Sequence, residues 1–140
     1  MKLSQNFTLA EFTKSDTATK NNYTEQFDPT KEIIEKLTFG AEKIAEKIRV
    51  KFGAFTLNCA YRCPRLNDKV GGKKSSMHLT AEAMDVTFKD CKAVFDWLIE
   101  NKATIPFTEL YWEKNKKKGS EWLHIGWRKQ ANQEIGKIFV

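Results

Sequence analysis

A chain of 140 residues is long enough to bury one core and too short for several. Its apolar content of 41%, with four Trp and ten Phe, excludes a disordered tail. No apolar run approaches the roughly 18 residues that a membrane span needs. The net charge of +6 favours polyanions. Many of the lysines, however, interleave with glutamates on one predicted helix (Lys31, Glu32, Glu35, Lys36, Glu42, Lys43, Glu46, Lys47), an ordinary solvated face, which argues against nucleic acid.

Taken in chain order, Thr8-Leu9-Ala10-Glu11 has the form of a capping box and predicts a short helix to about Lys14. Ser15 to Gln26, rich in Thr, Asn and Lys, is expected to be a loop over the core. Asp28-Pro29 is expected to open the main helix, about Thr30 to Phe52, with Ile33, Ile34, Leu37, Ala41, Ile44, Ala45, Ile48 and Phe52 at steps of three and four. Gly53 supplies the stop, and Gly40 is a point where the helix can break.

The β-prone alternation of Phe55 to Tyr61 predicts a strand, Pro64 a short helix to Lys69, and Val70 to Ser76 a loop. Ala83 to Phe88 is a second strand, and Asp90 caps a helix to about Asn101. Strands over Thr108–Glu113 and Trp122–Trp127 flank a lysine-rich turn (Lys114, Lys116, Lys117, Lys118) that ends at Gly119. The pattern is α+β, a small antiparallel sheet packed by helices. A single domain over 1–140 is expected, with a short helix and loop in 1–29, the core in 30–128 and a tail in 129–140. Cys59, Cys63 and Cys91 are odd in number and lack metal-site spacing. Cys59 and Cys63 could pair, but three reduced, small hydrophobes are expected.

The chemistry concentrates around two histidines. One stands in Ser76-Met77-His78, with Asp85 seven residues on; the other closes Glu121-Trp122-Leu123-His124. A catalytic zinc site takes three ligands from His and Asp or Glu, leaves one position open, and needs a further carboxylate to accept a proton. Two imidazoles, Asp85 and Glu121 supply that set, although His-x6-Asp is a weak pattern by itself. In a regular strand positions 121 and 124 face opposite sides, so Glu121 must lie in the turn or at a bulge. Glu113 is the reserve base. Glu109 and Glu82 are expected to be solvated charges. Trp112, Trp122 and Trp127 are core or rim aromatics, Trp127 preferably core.

The segments Tyr61-Arg62-Cys63-Pro64-Arg65-Leu66-Asn67, Val70-Gly71-Gly72, Ser76-Met77-His78-Leu79, Ala83 and Asp85, in this order, resemble the D-Ala-D-Ala carboxypeptidase family of zinc peptidases. This is metallopeptidase family fifteen, which includes phage endolysins and shares its fold with the hedgehog signalling domain. Leu3-Ser4 and Asn6-Phe7-Thr8-Leu9 with Glu11-Phe12 resemble the opening of its small phage-associated branch, so the likeness runs from near residue 3 to about 127.

The resemblance implies a Zn2+ ion on His78, Asp85 and His124, with Glu121 as catalytic carboxylate. It implies that Arg62 stabilises the peptide carbonyl or its tetrahedral intermediate, although a structural arginine on loop carbonyls is the alternative. Ser76, Tyr61 and Trp122 are implied in substrate binding, Tyr61 being equally a packing residue. The implied substrate is a bacterial peptidoglycan stem peptide, cut by a monomer as D,D-carboxypeptidase or endopeptidase. A non-catalytic zinc-containing wall-binding or phage structural module is the alternative. The start Met1-Lys2-Leu3-Ser4 has no secretory h-region, so synthesis in the cytoplasm is expected, with action on the wall after phage- or prophage-type release. Ala81 stands where the family has Gly, which asks whether this position needs a positive φ.

Overall fold

A computed structural model describes residues 1–129 and 134–139. The capping box at Thr8 forms as expected: Glu11 N donates to Thr8 Oγ1 at 3.2 Å and Thr8 N to Glu11 Oε1 at 3.0 Å, which starts α1 (Leu9–Thr13). The expected loop from Ser15 to Gln26 instead holds α2 (Asp16–Lys20), capped by Ser15 Oγ, and begins a 3₁₀ turn (Thr24–Phe27). Gln26 explains why this segment is pinned. Its fully buried amide donates to the carbonyls of Thr13 (2.9 Å) and Tyr61 (2.8 Å) and accepts from Cys63 N (2.8 Å). The bonds to Tyr61 and Cys63 join the N-terminal segment to the stretch that carries Arg62, and the bond to Thr13 closes the segment on itself.

The main helix is capped two residues later than Asp28-Pro29 suggested. Thr30, not Asp28, is the N-cap, its Oγ1 accepting from Ile33 N, and α3 runs Lys31–Gly40. A π-helical turn (Ala41–Ala45) then joins it to α4 (Glu46–Phe52), which Gly53 closes at φ +82°. The irregularity falls directly after Gly40. A methyl group at Gly40 would run into the Trp127 ring, whose Nε1 donates to Lys36 O at 3.2 Å. Gly40 is thus the place where the helix meets Trp127, which is core as expected.

The sheet has the order β1-β2-β4-β3-β5, with β1 Thr56–Cys59, β2 Ala83–Thr87, β3 Glu109–Asn115, β4 Ser120–Gly126 and β5 Glu134–Phe139. Four strands are antiparallel neighbours, but β5 runs parallel to β3, so the α+β sheet is mixed rather than purely antiparallel. The expected tail over 129–140 therefore contains a strand; 130–133 and 140 lie outside the described residues. Two more helices interrupt the strands: α5 (Pro64–Lys69), with Pro64 in its first turn, and α6 (Cys91–Glu100), capped by Asp90 Oδ1.

Strand alternation sorts the sheet into two faces. Met84, Val86, Leu110, Leu123 and Ile125, all fully buried, share the face covered by α6, where Phe95 packs on Trp112 at 5.4 Å between centroids. The opposite face carries the polar residues described next. Cys59, Cys63 and Cys91 are all free thiols, as expected.

Candidate metal centre

One row of side chains crosses the polar face. Asp85 on β2 is the register partner of His124 on β4, and His124 is that of Tyr111 on β3. On the other side a β-bulge between Leu57 and Cys59 re-aims β1, so that Cys59 stands opposite Asp85. Asp85 Oδ1 lies 3.0 Å from His124 Nδ1 and Oδ2 lies 3.3 Å from His78 Nε2. Side chains 39 positions apart thus meet because two antiparallel strands align them.

His78 arrives from the loop before β2. That loop is a series of tight turns: Leu79 N donates to Ser76 O at 3.2 Å, Ala81 N to His78 O at 3.3 Å and Glu82 N to Met77 O at 2.9 Å. Closing them puts Ala81 at φ +63°, so this position does require the left-handed region. Arg62 N donates to His78 O at 3.0 Å, which ties the loop to the residues after β1.

The outer nitrogen of each imidazole has an acceptor. His78 Nδ1 lies 2.6 Å from the Ala60 carbonyl, which can only accept, so that nitrogen carries a proton. His124 Nε2 lies 2.7 Å from Glu109 Oε1. Both contacts leave His78 Nε2 and His124 Nδ1 as the nitrogens that turn to Asp85. Donor atoms of His78, Asp85 and His124 all lie within 4.8 Å of one another. Two imidazoles and one carboxylate, each imidazole oriented by an acceptor on its far side, fit the three-ligand open site of a catalytic divalent ion. These residues can hold a metal.

In the ion-free protein protons do the bridging. Burial opposes charging of His78, but hydrogen bonding to Asp85, with Cys59 Sγ 3.8 Å away, outweighs it, and the pKa is pushed up to about 10. His124 moves up as well, burial being outweighed by Asp85 and Glu109. Burial pushes Asp85 up, yet the two imidazoles win and hold it well below the usual carboxylate range.

Around the triad an open pocket of about 540 Å³ is lined by Arg62, Lys73, Ser76, His78, Asp85, Glu109, Tyr111, Glu113, His124 and Arg128, among others. Arg62 Nη2 donates to Ser76 Oγ at 3.0 Å, and the same oxygen accepts from His78 N at 3.2 Å. Arg62 and Ser76 therefore stand beside the triad. Glu113 lies across β3–β4 from Trp122, whose Nε1 donates to Glu113 Oε2 at 2.7 Å. Trp122 is thereby the residue that holds Glu113.

Two expected site residues are not brought together with the triad. Glu121 is one residue out of phase with Trp122 and His124 and lies on the α6 face. There its carboxylate adjoins Cys91, and burial together with that charge pushes the Cys91 thiol up. No bulge in β3–β4 returns it to the metal side, so Glu121 cannot reach water at the triad. Tyr61 is buried; its backbone bonds Phe12 O and Gln26, and burial pushes its phenol up.

Conversely, Glu109 is not a solvated charge but the partner of His124, and Tyr111 stacks on the same ring at 5.2 Å and 19°. Gly126, the register partner of Glu109, makes room: a methyl group there would stand 2.7 Å from Met77 Sδ and 3.2 Å from Glu109 Cβ. Glu82 is also structural, 3.7 Å from Lys36 Nζ and 3.9 Å from Arg128 Nε. The signal that marks Glu109, Tyr111 and Glu113 is the hairpin register. Once Glu113 faces Trp122, alternation places all three beside His124.

A comparison with curated proteins finds no match. A family model described as Peptidase M15 matches residues 5–124, a span that begins in the N-terminal segment and ends on His124. With that match over most of its length and a His-Asp-His donor set at the end of the matched span, the chain belongs to the peptidase M15 family of metal-dependent peptidases.

Proposed function

We propose that the chain is a zinc peptidase that hydrolyses the stem peptides of bacterial peptidoglycan, as a D,D-carboxypeptidase or an endopeptidase of the endolysin kind. The observation that carries this reading is the convergence of His78 Nε2, Asp85 and His124 Nδ1 beside Arg62 and Glu113 in one open pocket. A zinc ion on the three ligands supplies a Lewis acid for the peptide carbonyl and acidifies water.

The chain's own residues supply the rest. Glu113 is the general base: Trp122 fixes Oε2, which leaves Oε1 to take a proton and pass it to the leaving amine. Arg62, held by Ser76, turns a cation toward the carbonyl oxygen as charge develops there. Ser76 keeps its hydroxyl proton for substrate, because its oxygen already accepts from Arg62 and His78. Trp122 holds Glu113 at its end of the cleft. The reading extends to a monomer that acts on the wall after phage- or prophage-type release.

A non-catalytic wall-binding module would need no carboxylate near the ion's open side, whereas Glu113 lines that pocket. Digestion of purified peptidoglycan, with products read by mass, tests the proposal. New amino termini or released D-alanine that vanish with chelator and return with zinc are expected. Unchanged peptidoglycan under zinc-replete conditions would overturn it.

A further inference from the structure

Arg62 and Arg128 approach the pocket from two sides of one short stretch of loop. Arg62 Nη2 donates to Ser76 Oγ at 3.0 Å, and Arg128 Nη2 donates to the carbonyl of the preceding residue, Ser75, at 3.3 Å. Both guanidinium groups line the pocket, and in both the Nε–H is buried without an acceptor among the described residues. A buried, unpaired donor on a cation is costly, so neither guanidinium is fully satisfied within the protein. Among the described residues Arg128 has one ion pair, its Nε 3.9 Å from Glu82 Oε1, which is beyond hydrogen-bond reach and shared with Lys36. Lys73, on the same rim, has no ion pair among the described residues.

The pocket's carboxylates are committed elsewhere. Asp85 faces both imidazoles, Glu109 holds His124, and Glu113 is bonded to Trp122. Glu113 and Arg128 flank His124 from opposite directions along the sheet, since Arg128 follows the end of β4 and Glu113 pairs with Trp122 two residues before His124. The pocket is therefore polar along its length, with an anion-accepting end at Arg128 and Lys73 and a base end at Glu113.

We propose that Arg128, with Lys73, forms a carboxylate-binding subsite that selects peptides bearing a carboxylate next to the scissile bond. This rests on the peptidase reading and deepens it. Arg62 serves the reacting carbonyl, whereas Arg128 serves a substrate group that does not react. The carboxylate is either the free terminus of a leaving D-amino acid or a side-chain carboxylate of the stem peptide. A fork of N–H donors matches either.

The test uses the zinc-loaded protein and two pairs of synthetic stem peptides. One pair differs only in a terminal carboxylate or carboxamide, the other only in a side-chain carboxylate or carboxamide. In one pair amidation is expected to lower wild-type kcat/KM by about tenfold or more, through KM. The pair that responds identifies the source. Arg128→Gln should lose the same factor on the acid and nothing further on the amide, with Arg128→Lys recovering part of it. Lys73→Gln, which breaks no side-chain contact among the described residues, should give a smaller loss of the same pattern. Equal losses on acid and amide, or indifference to amidation in both pairs, would overturn the subsite.

Binding of N-acetyl-D-alanine and γ-carboxylate dipeptides, against their amides, followed by NMR shifts, separates this from failure of the peptidase reading. Carboxylate binding lost in Arg128→Gln supports the subsite even without turnover. No preference for acid over amide in either assay overturns it.

Discussion

At the scale of single residues, the contact between Glu109 and His124 Nε2 decides which nitrogen of that ring is offered to an ion. Outer acceptors of this kind commonly affect metal affinity by 10–100-fold. Glu109→Ala is accordingly expected to weaken zinc binding by about that factor in a chelator-competition titration while the fold remains. Protons compete for the same atoms. Because the ion-free His78 has a pKa of about 10, it must release a proton to accept an ion throughout the neutral range. Zinc affinity should therefore rise by roughly tenfold or more per pH unit between about pH 6 and 8, since at least this one proton is displaced. The sign for stability is the reverse. The ion-free protein keeps the full His78–Asp85 contribution below about pH 6.5 and loses it as pH rises toward 10. At the base position, Glu113→Gln should keep the metal and lower kcat by about 10²–10⁴-fold, while Glu121→Ala should retain turnover. The opposite pattern in the two variants would return the base to Glu121.

Elements show why some of this was readable in the sequence and some was not. The capping box at Thr8, the helix with its irregularity after Gly40, the cap at Asp90 and the strands around Asp85 and His124 are local patterns, and they form where the residues place them. The ligand triad was legible because histidine is so scarce here and its neighbours follow a family motif. Glu109 was not, because its role depends on how β3 pairs with β4 and on the absence of a side chain at Gly126. Glu121 misled for a related reason: a motif counts positions, but alternation decides faces. The parallel β5 rests on long-range pairing that no local pattern announces. The metal loop adds a prediction of its own. Ala81 is buried at φ +63°, a conformation costing an alanine about 1–2 kcal/mol. Ala81→Gly is expected to raise stability by up to ~1 kcal/mol in denaturant melts. Ala81→Val, β-branched in the left-handed region, should lower it by about 2 kcal/mol or more.

Across the whole molecule, the N-terminal segment is tied to the helical layer by one carboxylate. Glu46 accepts from Ser4 Oγ at 2.6 Å, Asn6 N at 2.7 Å and Asn6 Nδ2 at 2.7 Å. Burial pushes its pKa up, but the donors of Asn6 and Ser4 outweigh it and the value falls below the ordinary one. The contribution is complete above about pH 4.5 and is lost as pH falls through the depressed folded value. Melts from neutral to acid pH should show Glu46→Gln less stable near neutrality and less acid-sensitive than the parent chain. The centre depends on a separate long-range feature, the alignment of β2 with β4. The most direct measurement is metal content by mass spectrometry after zinc loading and desalting, on the parent chain, Asp85→Ala, His124→Ala and Glu113→Gln. One zinc per chain is expected in the parent and in Glu113→Gln, with next to none in the other two. Stoichiometric zinc retained by Asp85→Ala and His124→Ala would contradict a shared His78–Asp85–His124 site.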